Sequence, residues 1–391
     1  MKKRIIAIIS MILAFSTLFC VTVSAKEKVE WISYDDYKQI EDYAYSFAVV
    51  GDTQIITCYD WLNEGTANPT NYVETLYQWI IDNKESKKIA YVMGLGDITD
   101  ADNATEWRIA SKQITRLDGV VPYSLVRGNH DSVGMFTSIF KNYTPYTSTL
   151  EGYYEGDNKV LNNYRTITIC GIKYLIMVLD YYPTNGELEW ANQVVEAHPD
   201  HRVIVTTHSH LSSDGYMWSY NDSEEPKDAN NGLQVWSKFV KKHKNIFMVL
   251  SGHISAETIV VDQRRGANGN IVTQILVDGQ DMDKVKPRGL IMMLYFSNDG
   301  SKISIEWYSP INNEYKNINR TEVKITPYGT EHLYTTAATS SETTQVASSL
   351  PITEKAENKG CKGEVIFAIL PISVSSALAV VSSKKRRKHN V

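Results

Sequence analysis

Five short pieces of the chain carry residues able to hold metal ions, and they occur in one order: Gly51-Asp52-Thr53-Gln54, Gly96-Asp97, Gly128-Asn129-His130-Asp131, His208 and Gly252-His253. Carboxylates neutralise positive charge while neutral imidazoles and amides complete a coordination shell, so this set suits one or two hard or borderline divalent ions. Taken singly, Gly-Asp after a strand is an ordinary turn, with Gly supplying positive φ and Asp bonding its own backbone. A single buried histidine is more often a satisfied core residue than a ligand. Gly128 to Asp131 is harder to read as packing, because it sets three consecutive hydrogen-bonding side chains at one strand end.

Each piece follows an apolar run of strand length. Asp52 follows residues 45–50, Asp97 follows 89–95, Asn129 and His130 follow 120–126 after one Arg-Gly step, His208 follows 203–207, and His253 follows 246–250. In open α/β sheets, ligands gather outside the carboxyl ends of the strands, and here five strand-like runs each deliver a ligand-type residue there. Further runs at 166–170, 174–179, 271–277, 290–296 and 302–308 read as strands. Helical patterns fall at 71–82, 105–117, 186–197 and 233–243. Alternation early and consecutive strands late predict an α/β (α+β) fold with two sheets face to face and helices on the outer faces. No internal repeat is visible.

The ordered motifs resemble those of the calcineurin-like metallophosphoesterase superfamily, whose pattern is Asp-x-His, Gly-Asp, Gly-Asn-His-Asp or Glu, a single His, then Gly-His-x-His. The likeness covers about residues 47–310. It implies a four-layer αββα sandwich of two mixed sheets, and hydrolysis of a small phosphoester by a metal-bound hydroxide. Carried over by position, Asp52 would bind the first metal, Asp97 would bridge, and Asn129, His208 and His253 would bind the second. His130 would steady the phosphoryl oxygens or protonate the leaving group, with Asp131 orienting it. Gln274-Ile275-Leu276, Asp278-Gly279-Gln280 and Trp307-Tyr308-Ser309-Pro310 resemble the closing strands of secreted members that begin with Asp-Thr-Gln. Purple acid phosphatases also resemble this chain but place a metal-binding Tyr three residues after the bridging Asp. Asp100 stands there, so no Tyr–Fe³⁺ ligation is expected.

Two departures from the pattern fall on the first metal. Gln54 replaces the His of the first motif, and Ser255 replaces the second His of the last. An amide and a hydroxyl are harder, weaker donors than two imidazoles, so the first position should hold its ion less tightly or prefer Mg²⁺, Mn²⁺ or Ca²⁺. One or two divalent ions are therefore expected, with Mn, Fe, Zn, Mg and Ca all open. His210, Ser255 and Arg127 are the remaining candidates for contact with substrate or, weakly, with metal; His210 either reaches substrate or covers the cleft. Two other readings stay open: a non-catalytic surface binding protein with one structural metal, and a hydrolase restricted to nucleotides or diesters.

The rest of the chain bears on compartment. Residues 1–25 read as a secretory signal peptide, with Lys2, Lys3 and Arg4 ahead of an apolar stretch and Val23-Ser24-Ala25 at the cleavage point. The catalytic domain is expected over 26–330, a Ser/Thr-rich stalk over 331–364, and a membrane anchor over 365–391 ending in Lys384-Lys385-Arg386-Arg387-Lys388. Leu350-Pro351-Ile352-Thr353 resembles the start of a sortase signal, but Glu354 stands where Gly is usual, and whether the tail is kept or processed stays open. These features put the domain on the extracellular face, with the membrane as partner through the C-terminal segment. A net charge of −5 offers no basic face for nucleic acid. Cys58 and Cys170 could pair, although sequence does not show them to be near each other. Among 24 tyrosines, Tyr143, Tyr146, Tyr153, Tyr154, Tyr181, Tyr182, Tyr216 and Tyr220, with Trp218, fall in loops. They are either ordinary packing or an aromatic rim, with 152–158 and 212–231 as the walls of the cleft.

Overall fold

The computed structural model describes residues 31–156, 158–220, 226–316, 320–329 and 346–347. The signal, most of the stalk and the anchor lie outside these residues. Among the described residues, no helix is long and apolar enough to cross a membrane.

Two eight-stranded mixed sheets form the centre. The first comprises β1 (Trp31–Ser33), β2 (Tyr45–Val50), β3 (Ile89–Gly94), β4 (Tyr123–Leu125) and, from later in the chain, β12 (Ile291–Phe296), β13 (Lys302–Ser309), β14 (Glu314–Lys316) and β15 (Thr321–Lys324). Its order is β1-β14-β13-β12-β2-β3-β4, with β15 also on β13. The second comprises β5 (Gly152–Tyr153), β6 (Asn163–Ile169), β7 (Ile172–Val178), β8 (Arg202–Thr206), β9 (Ile246–Ser251), β10 (Val260–Arg265), β11 (Ile271–Leu276) and β16 (Val346–Ala347), ordered β16-β10-β11-β9-β8-β7-β6-β5. The strands that end at the site are parallel within each sheet: β2, β3 and β4 in one, β7, β8, β9 and β11 in the other.

Buried strands with two covered faces read as unbroken apolar runs, and the period of two decides which layer each side chain enters. In β2, Phe47 and Val49 enter the core between the sheets with Tyr174, Ile176, Met248 and Ile275 of the second sheet. Ala48 and Val50 turn the other way, onto α1 (Gln54–Asn63), α2 (Tyr72–Asn83) and α3 (Ala104–Ile114). In β7, Leu175 and Met177 face the opposite helical layer, where Leu188 and Val195 of α6 (Asn185–Ala197) and Val235 of α7 (Gly232–Lys238) pack. Short α4 (Val133–Phe140) and α5 (Thr144–Thr147) follow β4, and α8 (Gln280–Val285) follows β11. The result is the four-layer αββα sandwich.

Helix starts follow local chemistry. Asn103 caps α3 by accepting from the Thr105 and Glu106 amides, and Thr184 with Glu187 forms a reciprocal capping box at α6. Helix α1 is not anticipated by the apolar pattern, and β10 is also missed because Asp262, Gln263, Arg264 and Arg265 interrupt it. Cys58 on α1 and Cys170 in the β6–β7 turn are both free thiols.

Phe47 is fully buried and meets Tyr91, Tyr174 and Phe296 edge-on. Phe47→Ala should cost about 3–5 kcal/mol of unfolding free energy, read by denaturant titration. A loss below about 1 kcal/mol would contradict a close-packed inter-sheet core.

Candidate metal centre

All five sequence motifs arrive at one edge. Asp52 follows β2, Asp97 follows β3, Gly128–Asp131 follows β4, His208 follows β8 and His253 follows β9. Asp97, His208 and His253 each bring a ligand atom within 4.8 Å of the others. Asn129 joins them: its Oδ1 lies 3.0 Å from His208 Nε2 and 2.8 Å from His253 Nδ1. His208 Nε2 is also 3.3 Å from Asp97 Oδ1. His208 Nδ1 lies 2.8 Å from the Leu95 carbonyl, so that nitrogen carries the hydrogen and Nε2 is left to face the cluster. The backbone amides of His130 and His253 donate to Asp97 and Asp52 respectively, fixing both carboxylates.

The backbone is bent to achieve this. Asp97 and His253 both lie in the left-handed region, at φ 47° and 73°, uncommon for residues other than Gly though Asp and His are among those that tolerate it best. Two glycines are needed for close approach. A Cβ at Gly252 would sit 2.2 Å from Asp52 Oδ1, and one at Gly128 would sit 2.1 Å from Asp97 Oδ1.

Some residues are used differently from expectation. Asp131, expected to orient His130, does not meet its ring; buried and fully engaged, it accepts from the amides of Ile98, Thr99 and Gly128 and from the Thr99 hydroxyl, stapling the β3 loop to the β4 loop. His130 is steered instead by Asp100, whose carbonyl lies 2.8 Å from Nδ1. Arg127 is buried and holds Asp180 through two bonds of 2.7 and 3.1 Å while donating to the carbonyls of Gly128 and Asp131. It positions the loop and is not presented to substrate. His210 is fully buried, with Nε2 2.6 Å from Gln274 Oε1. That bond turns it into the second sheet, towards the Gln274–Asp262–Arg264 network, so it neither reaches nor covers the cleft. Ser255 Oγ accepts from the Asp281 amide at 3.1 Å. Gln54 opens α1 and donates to Gln280, leaving its own Oε1 buried without a partner.

Of the loop aromatics, Tyr181 packs its ring against both His208 and His253, and Trp218 stands nearly perpendicular to His253. Tyr182 and Tyr220 continue this wall through Trp218. Tyr143 and Tyr146 belong elsewhere, around Asp118 and Phe140, and Tyr154 packs on Trp190. Asp278 and Asp180 lie outside the five motifs, although each follows an apolar run as the motif residues do, and the strand-end signal marks both.

Electrostatics favours a cation. Asp52, Asp97, Asp131 and Asp278 are all buried, and the nearby guanidinium of Arg127 is committed to Asp180. Burial drives the Asp52 carboxyl well above the usual range, and the Asp278 and Asp97 carboxylates push it further. Burial and Asp97 push Asp131 up to about 6, and burial takes Asp278 to about 6. At Asp97 burial acts upward, but His208 and the His130 amide outweigh it and hold the carboxyl low. His208 is correspondingly raised: Asp97 outweighs the downward effect of burial. The donor set of crowded carboxylates, neutral-capable imidazoles, an amide oxygen and an orphaned Gln54 oxygen fits divalent ions.

Comparison with known proteins agrees with the geometry. Residues 45–256 match the calcineurin-like phosphoesterase family, and the chain belongs to it. The family is one of metal-dependent phosphoester hydrolases. The chain is 26% identical over 298 residues to the uncharacterized protein YvnB of Bacillus subtilis, covering 73% of this chain and 21% of that one; it thus spans about a fifth of that relative's length. Among solved structures, a dimetal phosphatase from Danio rerio has a TM-score of 0.48 at 14% identity, with 73% of this chain and all of that chain covered. The calcineurin-like phosphoesterase YfkN of Bacillus subtilis has a TM-score of 0.38 at 12% identity, covering 75% and 96%.

The crowding sets a pH dependence. Asp131 and Asp278 titrate near 6 when folded and near 3.9 when unfolded, so between about pH 4 and 6 the folded chain binds more protons and stability falls as pH rises. His210, held at about 4 by burial, and His243, also lowered by burial, act in the opposite sense but are outnumbered by the raised carboxylates of Asp52, Asp131, Asp278 and Asp283. The metal-free protein should therefore melt at higher temperature at pH 5.5 than at 7.5. A fall on acidification over that interval would contradict the uncompensated-carboxylate account.

Proposed function

We propose that this domain hydrolyses a small phosphoester, using one or two divalent ions held by Asp52, Asp97, Asn129, His208 and His253. The observation that carries the reading is the convergence of Asp97, Asn129, His208 and His253 beside a histidine that is not part of the cluster. Ions bound there would neutralise phosphoryl oxygens and lower the pKa of a coordinated water. His130 supplies the proton chemistry of the chain itself. With Nδ1 committed to the Asp100 carbonyl, Nε2 is the free nitrogen on a partly exposed ring, placed to hold a proton for the leaving oxygen. Tyr181 and Trp218 shield one side of the imidazole ligands from water.

Diesters suit the centre better than monoesters. A site already lined by four buried carboxylates repels the additional charge of a monoester. The same reading keeps the domain on the outer face of a membrane, supported by the signal-like residues 1–25 and the apolar, basic-tailed residues 365–391.

His130→Ala should lower kcat by about 10²–10⁴-fold for an alkyl ester, and by less for a p-nitrophenyl ester that needs little protonation, with metal content unchanged. Equal losses for both leaving groups would remove His130 from the proton-transfer role. Asp97→Asn should lose both metal and turnover. A wild-type chain that binds metal yet turns over no member of a broad phosphoester panel would favour the non-catalytic binding protein. A monoester with a higher kcat/KM than every matched diester would overturn the diester preference.

A further inference from the structure

The two positions where this chain departs from its family, Gln54 and Ser255, are far apart in sequence but touch the same short segment. Gln54 Nε2 donates to Gln280 Oε1, and the Asp281 amide donates to Ser255 Oγ. The Ala256 amide, next to Ser255, also donates to the carbonyl of Asp278. Residues 278–281 therefore occupy the ground between the two altered motifs and are stitched to both.

This segment brings a carboxylate with it. The ends of β2 and β11 come together where the sheets meet: a Cβ on Gly51 would lie 2.1 Å from the Val277 carbonyl oxygen and 3.5 Å from Asp278 Cα. Asp278, with no exposed surface, is thus set beside Asp52. Its Oδ1 accepts from the Gln280 amide at 2.8 Å and its Oδ2 from Gln280 Nε2 at 3.2 Å. The chain of bonds fixes every amide's direction. A carboxylate only accepts, so the Gln280 NH₂ must face Asp278 and the Gln280 oxygen must face Gln54. The Gln54 NH₂ then points at Gln280, which leaves Gln54 Oε1 buried with nothing to bond. A buried amide oxygen without a donor is costly unless something positive meets it.

We infer that Asp278, with Gln54 Oε1, completes the first metal's shell beside Asp52 and Asp97, so that this chain has exchanged two imidazoles for a carboxylate and an oriented amide oxygen. The inference rests on the metal centre of the proposed function, but not on turnover. It revises the sequence-based expectation of a depleted first position. With carboxylate and amide oxygens in place of nitrogens, that position selects hard ions such as Mn²⁺, Mg²⁺ or Ca²⁺ over Zn²⁺.

The test is a Mn²⁺ titration of the full chain, followed by calorimetry and electron paramagnetic resonance, with no substrate present. Wild type should take up two Mn²⁺ and show the spin-coupled spectrum of a close pair. Asp278→Asn should take up one and show an uncoupled six-line spectrum, with the first-site affinity lower by at least about tenfold, whereas Asp278→Glu should retain two. Metal-free melting separates ligation from a structural role. Removing a carboxylate that opposes Asp52 should leave the metal-free Asp278→Asn protein at least as stable as wild type, with only its stabilisation by Mn²⁺ reduced. Two ions held at wild-type affinity by Asp278→Asn, a lowered metal-free melting temperature, or a wild-type chain binding only one ion would each overturn the inference. A wild type that binds two Mn²⁺ as described but hydrolyses no phosphoester would defeat the hydrolase reading and leave this assignment standing.

Discussion

The constraint on which the rest depends is the crowding of Asp52, Asp97, Asp131 and Asp278, all buried at one edge of the molecule. Carboxylates in such surroundings repel one another and resist ionisation, as the raised positions of Asp52, Asp131 and Asp278 show. The chain makes the arrangement tolerable by giving each group at least one backbone donor. Asp131 takes amide bonds from Ile98, Thr99 and Gly128, Asp52 takes the His253 amide, and Asp97 takes the His130 amide. What the backbone leaves uncompensated is negative charge, which a divalent ion would neutralise.

Everything else in the fold serves to bring those groups together. Two sheets contribute parallel strands that end at the same edge, and the continuous core of Phe47, Val49, Tyr174, Ile176, Met248 and Ile275 fixes their spacing. Loops then turn sharply, through left-handed Asp97 and His253, to aim ligands inward. Glycines at 128 and 252 let backbone pass within van der Waals contact of the carboxylates. The Arg127–Asp180 pair ties the end of β4 to the end of β7 across the two sheets, which makes it a positioning device common to both halves of the centre.

Much of this was legible in the sequence for a physical reason. A strand buried on both faces writes itself as an apolar run, and the polar residue that ends it marks the edge where ligands collect. That rule put Asp52, Asp97, Asn129, His208 and His253 at one edge; there Asp97, Asn129, His208 and His253 meet, and Asp52 takes the His253 amide. It failed where side-chain direction rather than position decides the outcome. His210 reads as a residue of the cleft beside His208, yet its ring bonds Gln274 inside the second sheet. Asp131 reads as the partner of its neighbour His130, yet its hydrogen bonds go to amides brought close only by the tertiary fold, and the Asp100 carbonyl takes that role. Asp278 was visible as a strand-end residue, but its nearness to Asp52 depends on how the two sheets meet, which no local pattern records.

The central claim is that the carboxylate edge is a two-ion centre organised about Asp97. Anomalous diffraction from crystals of the full chain grown with Mn²⁺ tests it most directly. The account predicts two peaks about 3.5–4 Å apart on either side of Asp97, one ringed by Asn129, His208 and His253 and the other by Asp52, Gln54 and Asp278. A single peak, or peaks that leave Asp97 uncoordinated, would contradict it.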